Sequence, residues 1–117
     1  MSVEAEPRRP SPAAFFLGPA HVIVHGNRPF VERFGATCLG QPAREALVDL
    51  PPEAFQLMDL VYRSGRSYAR QITMSDGRRR FVVAARRDPE TGETYGVATH
   101  LRPLEPADRQ AFSSSRR

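Results

Sequence analysis

The sequence predicts an α+β domain, with antiparallel strands set apart from a central helical segment. Three observations predict it. "HVIVH", His21 to His25, alternates like a strand, and past Gly26-Asn27 the period changes so that Phe30 and Phe34 recur at helical spacing. "PEAFQLMDLVYRSG" carries Ala54, Leu57, Met58 and Val61 at i, i+3, i+4, i+7, the pattern of an amphipathic helix. The last third alternates in three runs separated by turn residues, which reads as a meander.

Each element follows from local chemistry. "AAFFLG", Ala13 to Gly18, is a short apolar run stopped by Gly18-Pro19, and with "HVIVH" it predicts a hairpin. Strand alternation puts Val22 and Val24 on one side and His21, Ile23 and His25 on the other. Ile23 is expected among exposed apolar residues. The Asn27 side chain can accept a hydrogen bond from the first helical turn, and Pro29 is tolerated there. Gly35 can end that helix in a left-handed conformation. "LGQPAREALVDLPP" predicts a loop and about two turns of helix, halted by Pro51-Pro52. Pro52 then opens the long helix, with Glu53 at its positive end, Arg63 at its negative end and Gly65 as the stop. In "SYARQITM", Tyr68, Arg70, Ile72 and Met74 share a side. Ser75-Asp76-Gly77 makes a turn, and "RRFVVAARR" returns with Phe81, Val83 and Ala85 on one face and Val82 and Ala84 on the other. A turn over Asp88 to Gly92 leads to "TYGVATHL", which Pro103 ends.

The chain of 117 residues suggests one domain with a modest core. Residues 1–12 and 104–117, rich in Pro, Ser and charge, are expected to be tails, leaving 13–103 as the domain. There is no signal-peptide pattern and no apolar run long enough to span a bilayer, so a cytoplasmic protein without membrane contact is expected. Cys38 is the sole cysteine, which excludes an internal disulfide and reads as a packing residue. His21 and His25 are four residues apart on one strand, about 13 Å at strand rise, too far to share a metal. Each is read as a polar strand residue, and no metal site is expected. Every basic residue is Arg, and eight fall between Arg63 and Arg87 against a single acid, Asp76. Such a run reads first as the solvated face of a hairpin and second as an anion-binding surface.

The order of elements and four motifs resemble the PAS domains attached to bacterial sensor kinases and regulatory phosphatases. The likeness runs from about Ala13 to Arg102. It rests on Asn27 followed by "RPFVERFG", on "LGQPARE", on "LMDLVYRSGRSY", and on "TYGVATHLRP". The resemblance implies a five-stranded antiparallel sheet of order 2-1-5-4-3, with helices over one face. It also implies a ligand space between sheet and helices or pairing through the other sheet face, and it makes Asn27 a structural corner rather than a catalytic residue. The flavin-photoadduct signature Asn-Cys-Arg-Phe-Leu-Gln is absent around Cys38, and the long helix lacks the His of haem-binding relatives. No cofactor is therefore assigned.

These readings predict a non-catalytic sensory or signalling module. Its expected partner is a signalling protein, either a kinase, a phosphatase or a regulator, with a homodimer as a further option. A small ligand could gate that contact. Its pocket would be lined by Phe34, Leu47, Leu57, Met58, Val61, Phe81, Val83 and Val97, although plain core packing explains the same residues. Only some fifteen residues follow Pro103, so output is expected to run through another chain. Nucleic-acid binding through the Arg63–Arg87 hairpin is the runner-up, but no recognition helix, zinc finger or RNA-binding signature accompanies the charge. An enzyme ranks last. No Ser-His-Asp spacing, facing carboxylate pair or phosphate-binding glycine loop is present, and Asp49 and Glu53 read as helix-end residues.

Overall fold

In the computed structural model the described residues are 11–104. The elements are β1 (Ala13–Leu17), β2 (Val22–Gly26), α1 (Arg28–Phe34), a 3-10 turn (Ala36–Cys38), α2 (Ala43–Ala46), α3 (Pro52–Ser64), β3 (Tyr68–Met74), β4 (Gly77–Arg87) and β5 (Thr94–Pro103). All strand pairs are antiparallel, and the sheet order is β2-β1-β5-β4-β3. This is the α+β arrangement expected from the sequence pattern and the strand order that the family resemblance implies. Most of the two tail segments lies outside the described residues. Ser11 and Pro12 are tied to the fold: Asn27 donates to the Ser11 carbonyl, and the Leu101 amide donates to that of Pro12.

The corner at Asn27 shows why the chain turns there. Asn27 Oδ1 accepts from the Phe30 amide at 3.1 Å, capping α1, and from the Ala13 amide at 2.9 Å. Its Nδ2 donates to the Ser11 carbonyl at 2.9 Å. One side chain thus satisfies the helix end and the start of β1 together. Pro29 lies in the first turn of α1, and Phe30 and Phe34 stack with ring centroids 4.8 Å apart.

Helix α3 lies across β3, β4 and β5. Its apolar stripe is the one read from the sequence: Ala54, Leu57, Met58 and Val61 are buried, and Phe55 joins them. Gly65 ends the helix at φ +73°, and its amide donates to the Val61 carbonyl. From the sheet, Phe16, Ile23, Ile72, Met74, Phe81, Val83, Val97 and Leu101 face the helices and complete the core.

Three local readings need correction. The helix expected after Pro42 is a single turn, Ala43–Ala46. Leu47 and Leu50 are both buried, and a turn in which the Leu50 amide donates to the Leu47 carbonyl joins them. Ile23 is fully buried, because β2 presents it to the helical layer, where its backbone bonds with Gly40 and Gln41. His21 is not a strand residue. It occupies the turn before β2 at φ +55°, an unusual conformation outside glycine, and is 1% exposed.

Candidate functional site

A five-stranded sheet has two faces, and the sequence alternates between them. The helix-side face is closed. Of the eight residues expected to line a ligand space, Leu47, Leu57, Met58, Val61, Phe81, Val83 and Val97 are buried, and Phe34 packs half-buried against them. One small cavity of about 10 Å³ lies between the layers, bounded by Phe34, Leu47 and Phe81 together with Phe16, Phe30 and Leu101. That is about the room one water molecule needs. Cys38 is buried in the 3-10 turn, and burial pushes its thiol pKa up, so it packs as a small apolar residue.

The opposite face is open. Alternation directs Ala13, Phe15 and Leu17 of β1, Val82, Ala84 and Arg86 of β4, and Ala98 and His100 of β5 outward, in cross-strand register Phe15↔Ala98↔Ala84 and Ala13↔His100↔Val82. Tyr95 reaches the same face by a different route. The register shifts between Arg86 and Arg87, Arg86 pairing with Gly96 and Arg87 with Thr94, so Tyr95 is the extra residue of a bulge. Its ring meets Phe15 edge-on at 6.2 Å, and the Arg86 guanidinium lies 5.8 Å from the Phe15 centroid. Tyr95 is 42% exposed and Leu17 39%. The result is an aromatic and alanine patch uncovered by any described element, with Arg78, Arg80 and Arg102 towards one end by the same alternation. Burial, then the charge of Arg102, lowers the pKa of His100, so this histidine adds little charge to the patch at neutral pH.

The arginines of 63–87 do not form one surface. Arg78, Arg80 and Arg86 fall on the outer face by alternation, whereas Arg70 and Arg79 lie on the side of Ile72 and Phe81. Arg79 pairs with Asp76, Arg78 with the Gln71 carbonyl, and Arg87 with the backbone of Gly92.

Two polar clusters escaped the sequence reading. Arg33 at the end of α1 grips Asp76 through two nitrogens at 2.9 and 3.1 Å and also reaches Asp49 at 3.1 Å. The β3–β4 turn is thereby fastened to the helical layer, and the Arg33 bond holds the Asp76 carboxyl below the usual carboxylate range. The second cluster is buried deeper. His21 Nε2 and Asp59 Oδ1 are 2.8 Å apart, and Arg44 binds the other Asp59 oxygen at 2.8 Å. Burial would raise the Asp59 pKa, but the bonds from Arg44 and His21 outweigh it and lower it. His21 Nδ1 has no hydrogen-bond partner among the described residues, and the ring meets Tyr62 edge-on at 6.0 Å. A Gly-Pro turn followed by a histidine carries no pattern that would announce this burial. The contact with Asp59 spans 38 residues and exists only in three dimensions.

Among the described residues no group of His, Cys, Asp or Glu is arranged to hold a metal ion. No helix among them is long and apolar enough to cross a membrane.

Comparison with known proteins adds the fold's relatives. No family model matches the sequence, and no curated protein matches it. Solved structures do. VqmA bound to DPO superposes with a TM-score of 0.66 at 19% identity, over 93% of this chain and 59% of VqmA. This chain therefore spans less than two thirds of that protein. A sensory box sensor histidine kinase from Vibrio cholerae gives a TM-score of 0.67 at 14% identity, over 81% of this chain and 82% of the other. The light-state structure of the blue-light photoreceptor Aureochrome1 LOV gives 0.61 at 18%, over 99% and 98%. At these identities the likeness establishes the architecture, which is that of PAS and LOV sensory domains.

Proposed function

We propose that this PAS-fold chain is a non-catalytic signalling module that docks another protein on the open face of its sheet. The observation that carries the reading is the contrast between a sheet face buried beneath the helices and an outer face on which no described element covers Phe15, Leu17, Tyr95 and the central alanines. Exposed aromatic residues with arginine at their edge are what protein interfaces favour. The partner is a signalling protein such as a kinase, a phosphatase or a regulator, or a second copy of this chain. A small ligand between sheet and helices is a finer form of the same reading. The cavity bounded by Phe34, Leu47 and Phe81 holds about 10 Å³, too little for such a ligand unless the layers part around it.

The test compares the wild-type protein with Leu17→Arg, a change at an exposed outer-face position that leaves the core untouched. Native mass spectrometry reads self-association and any bound small molecule, and affinity capture reads a heterologous partner. The reading expects a dimer or a captured signalling protein that Leu17→Arg loses. Association that survives both Leu17→Arg and Tyr95→Arg undiminished would place the interface elsewhere and defeat the proposal.

A further inference from the structure

Away from both sheet faces, the C-terminal end of α3 and the end of the β4–β5 hairpin border an open surface groove of about 460 Å³. Its size is in the range of small-molecule sites. Its lining is polar: Tyr62, Arg63 and Ser64 from α3, and Arg87, Glu93 and Thr94 from the hairpin. Two left-handed glycines frame it, Gly65 at φ +73° and Gly92 at φ +77°.

The groove holds a guanidinium in place. Arg87 Nε donates to the Gly92 carbonyl at 2.9 Å, which fixes the side chain across the groove. A methyl group at Gly65 would lie 3.6–3.7 Å from the Arg87 guanidinium, and one at Gly92 3.5 Å from its Nη2. The two glycines thus flank the guanidinium closely. Its terminal nitrogens make no hydrogen bond or ion pair to another described residue, and neither do the hydroxyls of Tyr62 and Thr94. The Ser64 hydroxyl accepts from the Arg66 amide, so its proton is free to be donated. A planar fork whose orientation is already set loses little freedom when it receives a planar acceptor. Two features oppose an anion here: the Glu93 carboxylate and the carbonyl end of α3. Against the carboxylate stand Arg63 and Arg87, so the titratable lining carries a formal +1.

We propose that this groove is a binding site for the oxyanion of a small organic acid, a carboxylate or a phosphate, received by the Arg87 fork with the Tyr62, Ser64 and Thr94 hydroxyls completing the shell. The site is separate from the outer sheet face and stands or falls independently of partner docking there. It also has a route into the fold, because Tyr62, one of the lining residues, carries a ring that meets the buried His21 ring.

The experiment is an amide and arginine side-chain NMR titration of the whole chain with succinate and, separately, with inorganic phosphate, at ionic strength held constant with sodium chloride. Saturable shifts at Gly65, Gly92 and Thr94 and at Arg87 Nε are expected, and whichever probe saturates first identifies the acid class. Arg87→Gln should weaken binding about tenfold or more, the scale of hydrogen bonds to charged groups. Arg87→Lys should recover little of it, because the charge remains and the fork is lost. Shifts that never saturate with either probe, or that persist unchanged in Arg87→Gln while its spectrum stays folded, would overturn the assignment.

Discussion

The two faces of the sheet are built from the same strands, one residue apart, and they behave differently. Val83 is fully buried beneath the helices, whereas its neighbour Val82 is half-exposed on the outside. Phe16 is sealed against Phe30, whereas Phe15 lies on the outer face beside Tyr95 and Arg86. Strand alternation sets which residues go to which side, but the helices decide what each side becomes. Covered, the alternate residues close into a packed core. Uncovered, the same kind of residue forms a patch that costs solvation until something covers it. The lesson is that hydrophobicity along a strand does not by itself separate core from interface.

The contrast can be broken most strongly on the closed face. Val83→Leu adds a methylene to a filled interior and should cost about 1–3 kcal/mol in a urea unfolding curve. An unchanged or raised midpoint would mean that the helical side holds space after all. Next is the corner that holds the helical layer to β1. Asn27→Ala removes the cap of α1 and leaves the Ala13 amide without its acceptor, with an expected loss of about 1–2 kcal/mol. Asn27→Asp should restore part of that loss, because both acceptor bonds can be remade.

A smaller effect lies in the Arg44–Asp59–His21 cluster and is read by pH. The Asp59 pKa is depressed in the folded chain, so its contribution is present above the ordinary aspartate range and is lost as pH falls through the lower folded value. Arg44→Gln removes the chief stabilising bond, brings the folded value back up, and should move the acid-unfolding midpoint to higher pH. A midpoint that stays put would mean that His21 alone holds the carboxylate. Smallest of all is the open face. Tyr95→Ser should change stability by no more than about 0.5 kcal/mol, as expected of a surface position, while weakening any association measured by native mass spectrometry. A large stability loss there would show Tyr95 to be part of the core rather than of a docking patch.

Much of the fold was legible because short-range rules govern it. The turn at Ser75-Asp76, the stop at Gly65, the stripe Ala54-Leu57-Met58-Val61 and the corner at Asn27 each follow from local backbone or periodicity chemistry. The open face was only half legible. Alternation announced Val82 and Ala84, but Tyr95 has the parity of buried Val97 and Thr99, and only the bulge at Arg86/Arg87 turns it outward. The interior list was legible as apolar residues, but whether they enclose a space depends on how closely two layers approach, which no residue pattern encodes.

The sequence by itself determined the order of the elements and most of the residues each presents, because helix caps, turn dihedrals and side-chain periods are local; the shortness of α2, the burial of Ile23 and the outward turn of Tyr95 lay beyond it. Tertiary structure alone decided three further things. It buried His21 against Asp59, made Asp76 a fastening point for Arg33 rather than a turn residue only, and set Arg87 between two glycines 22 and 5 residues away in sequence. Each of these depends on the distance between groups far apart in the chain, which is established only when the helices settle on the sheet.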